Sequence, residues 1–322
     1  MSQINRLAIP AAEVAGHRAA AINAAVELTK PGITRMVVIT AGVGFAMAAF
    51  ARPWAPVDLL LTAVFCLLGT ALSASGANAL NQWMERSRDA LMRRTTRRPI
   101  PDGRLSSSTA FALGAALSIL GVATLALLVN PAAAAVSAAT ILIYLLVYTT
   151  LKPVTPLATI IGAAPGALPP LIGWCAAAQT DASSWSALLQ PGGWALFLIM
   201  FVWQIPHFLA IAWMHREDYA RGGHRVLPVI DPEGARTAPV TFLWALAIIP
   251  VSLMAAPLMP AQPGVAYFLV AVITGALFAR AAWRFANKRD NASARKVFIA
   301  SIIHLPLLLI AMVADAGLSL VI

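Results

Sequence analysis

The sequence predicts an all-α, polytopic membrane protein: a bundle of nine transmembrane helices forming one domain over residues 1–322. Three observations carry this. Of the 322 residues, 60% are hydrophobic and 11% charged, whereas a soluble domain carries about 25% charged residues. The apolar residues fall in blocks of about twenty, long enough for a helix to cross a hydrocarbon core of roughly 30 Å. No long polar stretch divides the chain, so a length that would suit two soluble domains still reads as one bundle.

Residues 1–28 place Glu13, His17 and Arg18 among alanines. They offer no uninterrupted apolar core ahead of a cleavage site, and so read as a cytoplasmic N-terminal segment rather than a signal peptide. The spans follow at 33–50, 57–80, 108–129, 132–150, 154–178, 193–214, 238–258, 264–283 and 297–322. Turn-forming pairs such as Arg52-Pro53 and Asn130-Pro131 punctuate them. Pro165, Pro169, Pro170, Pro206, Pro250 and Pro306 fall inside spans. Each removes a backbone donor that lipid cannot replace, so the freed carbonyls should face neighbouring helices or a cavity. Cys66 and Cys175 sit in or at the edge of apolar blocks without metal-ligand spacing and read as packing residues.

If the connections alternate sides, every Lys and Arg of the 23 except Arg52 lies on one side. The positive-inside rule then puts the N-terminus in the cytoplasm and the C-terminus outside, in what reads as a bacterial inner membrane. The net charge of +10 is thereby accounted for by orientation and by lipid headgroups, and nucleic acid is not an expected partner.

No Asp, Glu, Lys or Arg lies near the middle of a span, which argues against a proton relay or ion-coupled transporter. The charges gather at the cytoplasmic ends. Beyond the second span, Asn81, Glu85 and Asp89 recur at four-residue spacing. On an α-helix each step drifts by about 40° and rises about 6 Å, so one face presents three oxygen-bearing groups. Hard oxygen donors with positions left for water and phosphate suit Mg²⁺. Arg94 and Arg98 repeat the spacing, offering guanidinium forks for phosphate oxygens. A metal-bound diphosphate site and a solvated, salt-bridged helix end both fit this composition.

After the sixth span comes a second charged loop with Arg216, Glu217 and Asp218. Two acidic helix ends facing each other would bind two cations bridged by one diphosphate. Glu217 and Asp218 are neighbours and point differently on a helix; Asp218 is ranked first. Lys152, alone between the fourth and fifth spans, either reaches the same phosphates or anchors at the membrane surface. Trp203 and His207 lie deeper in the sixth span, and His304 in the ninth. Such histidines bind a haem iron, serve a kinked helix's carbonyl, or simply pack. His207 stands eleven residues from Asp218, about 16 Å along a helix, a depth suited to a large lipid-soluble acceptor.

At these two loops the sequence resembles the UbiA superfamily of intramembrane prenyltransferases, and within it the haem-farnesylating branch. The resemblance covers nearly the whole chain. It rests on Asn81-Gln82-Trp83 through Asp89-Ala-Leu-Met92, Arg94-Thr95, Arg98-Pro99, Gly103-Arg104, Trp203-Gln204-Ile-Pro206-His207-Phe208, Arg216-Glu217-Asp218-Tyr219 and Pro169-Pro170-Leu-Ile-Gly173-Trp174. Leu28-Thr29-Lys30-Pro31 and Tyr148 to Lys152 are shorter echoes. The resemblance implies a nine-helix bundle with a lipid-facing cleft, and transfer of a farnesyl group from farnesyl diphosphate to a vinyl group of haem b, giving haem O. By position, it implies that Asn81, Glu85 and Asp89 form a first Mg²⁺–diphosphate motif and Asp218 with Glu217 a second. Arg94, Arg98 and Lys152 would clamp the phosphates, with Arg216, His207 and Trp203 as further substrate-binding candidates. Membrane lipid, and a haem A synthase or oxidase assembly factor, are the implied partners. Three positions mark this chain within the pattern: Glu85 is often aspartate, Arg88 is usually apolar, and Gln82 is acidic in quinone-type relatives. An aromatic prenyltransferase of the same fold, and a transporter or lipid-binding scaffold, are the competing readings.

Overall fold

The computed structural model describes residues 11–178 and 183–320. The first ten residues of the expected N-terminal segment and the last two of the ninth expected span lie outside them. Among the described residues the chain is helical, with no strand, and nine helical segments are long and apolar enough to cross a membrane.

In order, α1 is Ala11–Leu28, α2 Pro31–Ala49, α3 Pro56–Asp89, α4 Ser107–Leu128 and α5 Pro131–Leu142, which passes into a π-helical stretch, Ile143–Thr149. Then come α6 Ala158–Ala167, α7 Pro169–Ala177, α8 Pro191–Met214, α9 Arg216–Arg221, α10 Leu227–Ile230, α11 Thr237–Ala255, α12 Val265–Lys288 and α13 Asn291–Leu318. Proline opens α2, α3, α5, α7 and α8, the position where its missing N–H is not required. Ser106, Asn130 and Asp290 cap α4, α5 and α13 through their side chains, satisfying donors the helices leave orphaned.

Packing follows from small residues and from what faces lipid. On α3, a Cβ at Gly76 would collide with Ser118 of α4; on α7, one at Gly173 would collide with the Ala41 carbonyl of α2. Glycine at these two points lets the backbones touch, which is how helices associate where lipid removes the hydrophobic drive. All of α7 is buried, Trp174 included, and Cys66 and Cys175 are buried free thiols. Leu127, Leu243, Val265 and Ile310 point outward, as expected of side chains solvated by acyl chains.

The nine expected spans are present among the described residues, and the structure adds four features to them. α3 does not stop at residue 80 but runs on to Asp89, because its polar last turns find partners on other elements. The fifth span divides into α6 and α7 at Pro169-Pro170, since neither proline can donate to a preceding turn. α5 loosens into the π-helical stretch. α8 ends at Met214 and α9 restarts at Arg216, so His207 and Asp218 do not share one continuous helix. Pro206, Pro250 and Pro306 are accommodated inside α8, α11 and α13.

Candidate active site

The extension of α3 beyond its apolar part builds the site. Asn81, Glu85 and Asp89 are 2%, 5% and 0% exposed, and each meets a cation from a different part of the chain. Lys30, between α1 and α2, donates from Nζ to Asn81 Oδ1 at 2.9 Å. Lys152, between the π-helical stretch and α6, donates to Glu85 Oε1 at 2.8 Å. Arg98, in the turns after α3, donates from Nη1 to Asp89 Oδ2 at 2.6 Å. Three rungs on one helix face thus hold three cations in a row. Asp89 Oδ1 is buried with no partner, a costly state for a carboxylate oxygen.

Neighbouring side chains fix this ladder. Asn78 and Gln82, four apart on α3, donate to the Thr29 carbonyl at 3.4 Å and the Leu28 carbonyl at 2.8 Å. Those bonds hold the turn that presents Lys30, whose backbone is left-handed at φ 49°, a strained conformation for a residue with a Cβ. Asn81 Nδ2 donates to Thr149 Oγ1 at 3.1 Å, and Thr149 donates to the Tyr144 carbonyl five residues back at 2.8 Å. The π-helical stretch therefore ends on the site, a recurrent use of this geometry.

Electrostatics separate the two lysines. Burial, then the nearby Arg98 and Lys152 charges, push Lys30 down to about 7, with Glu85 and Asp89 opposing. For Lys152 burial also favours loss of the proton, but the Glu85 carboxylate outweighs it and holds the ammonium well above its usual range.

The second acidic pair is placed differently. Asp218 Oδ1 accepts from the Arg93 backbone N–H at 2.9 Å and from Arg221, and Oδ2 accepts from the Arg94 N–H at 3.1 Å. Burial raises its pKa, but Arg221 and these N–H groups prevail and lower it. The carboxylate thereby fastens the turn after α3 to α9. Glu217 is exposed and, with Arg93, Arg94, Arg216, Asp218 and Arg221, lines a cavity of about 430 Å³. Among the described residues no three His, Cys, Asp or Glu side chains converge as a ready metal site, and no hydrogen bond joins Asp218 to the α3 ladder.

Arg94 leans over Tyr219, its guanidinium carbon 5.5 Å from the ring centre. Arg216 is held by the Trp213 carbonyl at 2.9 Å and Asn291 at 3.0 Å. Trp203 and His207 share the face of α8 turned to α13: Trp203 donates to the Ser301 carbonyl at 2.8 Å, and His207 Nδ1 lies 2.7 Å from Ser301 Oγ. Their rings stack at 4.8 Å. Neither has a hydrogen bond to the ladder.

A sequence model of the UbiA prenyltransferase family matches residues 37–305. The chain belongs to this family. The protoheme IX farnesyltransferase of Solibacter usitatus (strain Ellin6076) is 42% identical over 297 residues, covering 90% of this chain and 97% of that protein. That of Anaeromyxobacter sp. (strain Fw109-5) is 40% identical over 289 residues, covering 90% and 92%. The fold of this UbiA family member is similar to that of digeranylgeranylglyceryl phosphate synthase, with TM-score 0.72, 18% identity and coverage of 92% and 98%. It is also similar to a UbiA homologue from Archaeoglobus fulgidus bound to GPP and Mg²⁺, with TM-score 0.59, 15% identity and coverage of 93% and 100%. Within the family frame, Lys30, Asn78 and Thr149 are site neighbours that motif spacing did not assign. Lys30 lies before the matched range, and its signal in the sequence was the short stretch Leu28-Thr29-Lys30-Pro31.

Proposed function

We propose that this integral membrane protein transfers a farnesyl group from farnesyl diphosphate to a vinyl group of protohaem IX, giving haem O. The observation that carries the reading is the ladder on α3, where Lys30, Lys152 and Arg98 engage Asn81, Glu85 and Asp89. The name shared by the relatives at 40–42% identity supports the acceptor.

Mg²⁺ is proposed as the resident cation. The residues fit it: the partnerless Asp89 Oδ1 and the oxygens of Asn81 and Glu85 are hard donors on one face. The Mg²⁺ beside GPP in the Archaeoglobus homologue is in keeping with this. When bound, the cation neutralises the departing diphosphate. The chain's own part is partner exchange. Diphosphate oxygens would compete for Lys30, Lys152 and Arg98, and the Asn81 amide oxygen and the Glu85 and Asp89 carboxylates they now engage would then be available to hold the cation. Arg94 adds a guanidinium, positioned through Asp218, which pins its backbone. Glu217, with the lone pair Asp218 keeps on Oδ2, remains the proposed second acidic motif. Trp203 and His207 are assigned to the haem. The protein is placed in the bacterial inner membrane with the ladder facing the cytoplasm; a haem A synthase or oxidase assembly factor is the proposed partner.

The deciding experiment is pigment extraction after expression in a strain lacking haem O. Mass analysis should find a hydroxyethylfarnesyl porphyrin that disappears when a chelator removes divalent metal. Prenylation of a hydroxybenzoate without haem O would transfer the assignment to the aromatic branch of the family.

A further inference from the structure

His224 lies in the loop after α9 and is 1% exposed, with neither ring nitrogen hydrogen-bonded. A buried imidazole with both nitrogens unanswered is an unusual cost, and such groups mark places completed by a ligand or by ordered water. The loop is clamped on three sides. The His224 N–H donates to the Tyr219 carbonyl at 2.9 Å, and the Arg225 N–H donates to the Lys152 carbonyl at 2.9 Å. Arg88 donates to the Gly222 carbonyl at 3.2 Å, which ties α3 to the loop. Gly223 makes the bend in the left-handed region, at φ 69°, where glycine is unstrained. The ring stands edge-on to Tyr219 at 5.8 Å. Lys152, Glu85, Arg88 and Arg94 are all near enough for their charges to act on it.

We propose that His224 is a diphosphate-binding residue: a neutral imidazole, on the loop tied to the Lys152 carbonyl, that donates its ring N–H to a phosphate oxygen of the prenyl donor. Neutrality follows from burial and from the neighbouring cations, which together push the ring down to about 4. A neutral ring keeps one N–H for the anion and one lone pair for an adjacent ammonium or guanidinium. Such a group adds directional hydrogen bonding where the lysines and arginines supply charge. This role rests on the prenyl-transfer reading above.

The test uses the full chain in nanodiscs with Mg²⁺ and the unreactive analogue farnesyl thiodiphosphate, binding being measured by calorimetry. His224→Phe fills the space without a donor, and His224→Gln keeps one. The phenylalanine variant should bind the analogue about ten-fold more weakly, the loss expected for one hydrogen bond to a charged acceptor. The glutamine variant should recover most of that, and the haem b spectral titration should be unchanged in both, which also reports that each is folded. Wild-type affinity in His224→Phe, or equal losses in both variants, would make the ring a packing group and overturn the proposal. Absence of binding by the unchanged chain would instead overturn the prenyl-transfer reading, and this role with it.

Discussion

Lys152 and Glu85, 67 residues apart in the chain, meet with Nζ 2.8 Å from Oε1 and little of either side chain exposed. A buried pair of this kind adds little net stability, because desolvation offsets its attraction, but stranding one partner is costly. Lys152→Ala should therefore destabilise the protein by about 3 kcal/mol. Lys152→Met combined with Glu85→Gln should restore the melting temperature while leaving haem O output low. A single variant as stable as the parent would show that the pair is solvated.

Asp89 combines an Arg98 partner on one oxygen with no partner on the other. Asp89→Asn keeps the shape but neutralises the charge, and turnover should fall by at least about 100-fold, the scale of losing a main electrostatic contributor. A retained cooperative melting transition, checked in the same preparation, separates this from misfolding. Normal haem O yield from the variant would remove Asp89 from the reaction.

Stability at mildly acid pH should depend on His224. Its folded pKa lies near 4 because burial, then Lys152, Arg88 and Arg94, disfavour the imidazolium, with Glu85 opposing. An unfolded histidine takes up its proton near 6.5. Between those values the unfolded chain binds more protons, so this group's contribution makes stability rise with pH over that window and level off above it. Going from about pH 7.5 to about pH 5, His224→Gln should lose less melting temperature than the parent. Parallel curves would mean the ring titrates normally in the fold.

His207 and Trp203 are both tied to Ser301 and turned towards α13, without a hydrogen bond to the α3 ladder. His207→Ala should weaken haem b binding, read from the Soret band, several-fold more than farnesyl thiodiphosphate binding, read by calorimetry. Equal weakening of both would leave His207 a purely structural role.

Much of the candidate site was legible because it is periodic. Asn81, Glu85 and Asp89 share a face on any helix, whatever it packs against, and α3 does extend through all three. The cations were only partly legible. Lys152 and Arg98 stood out as isolated or regularly spaced charges, but spacing cannot say which rung each one meets. Lys30 was visible only as a short motif. Its link to Asn81 spans 51 residues and depends on Asn78 and Gln82 gripping a turn between two other helices. Asp218 illustrates the opposite case. Its acidity and position were plain, yet its three hydrogen bonds to Arg93, Arg94 and Arg221 could be found only once the turn after α3 had been folded against α9.

The sequence by itself determined the membrane-spanning helical architecture. Hydrophobic run length, proline placement and charge are local quantities that lipid and water act on directly. Only the tertiary structure decided which cation answers which rung, where α5 loosens into a π-helical turn beside Asn81, and that His224 is left with two unanswered nitrogens next to Lys152. Those facts depend on pairing between segments distant in the chain, where burial strips away water and leaves each polar group dependent on whatever other helices bring to it.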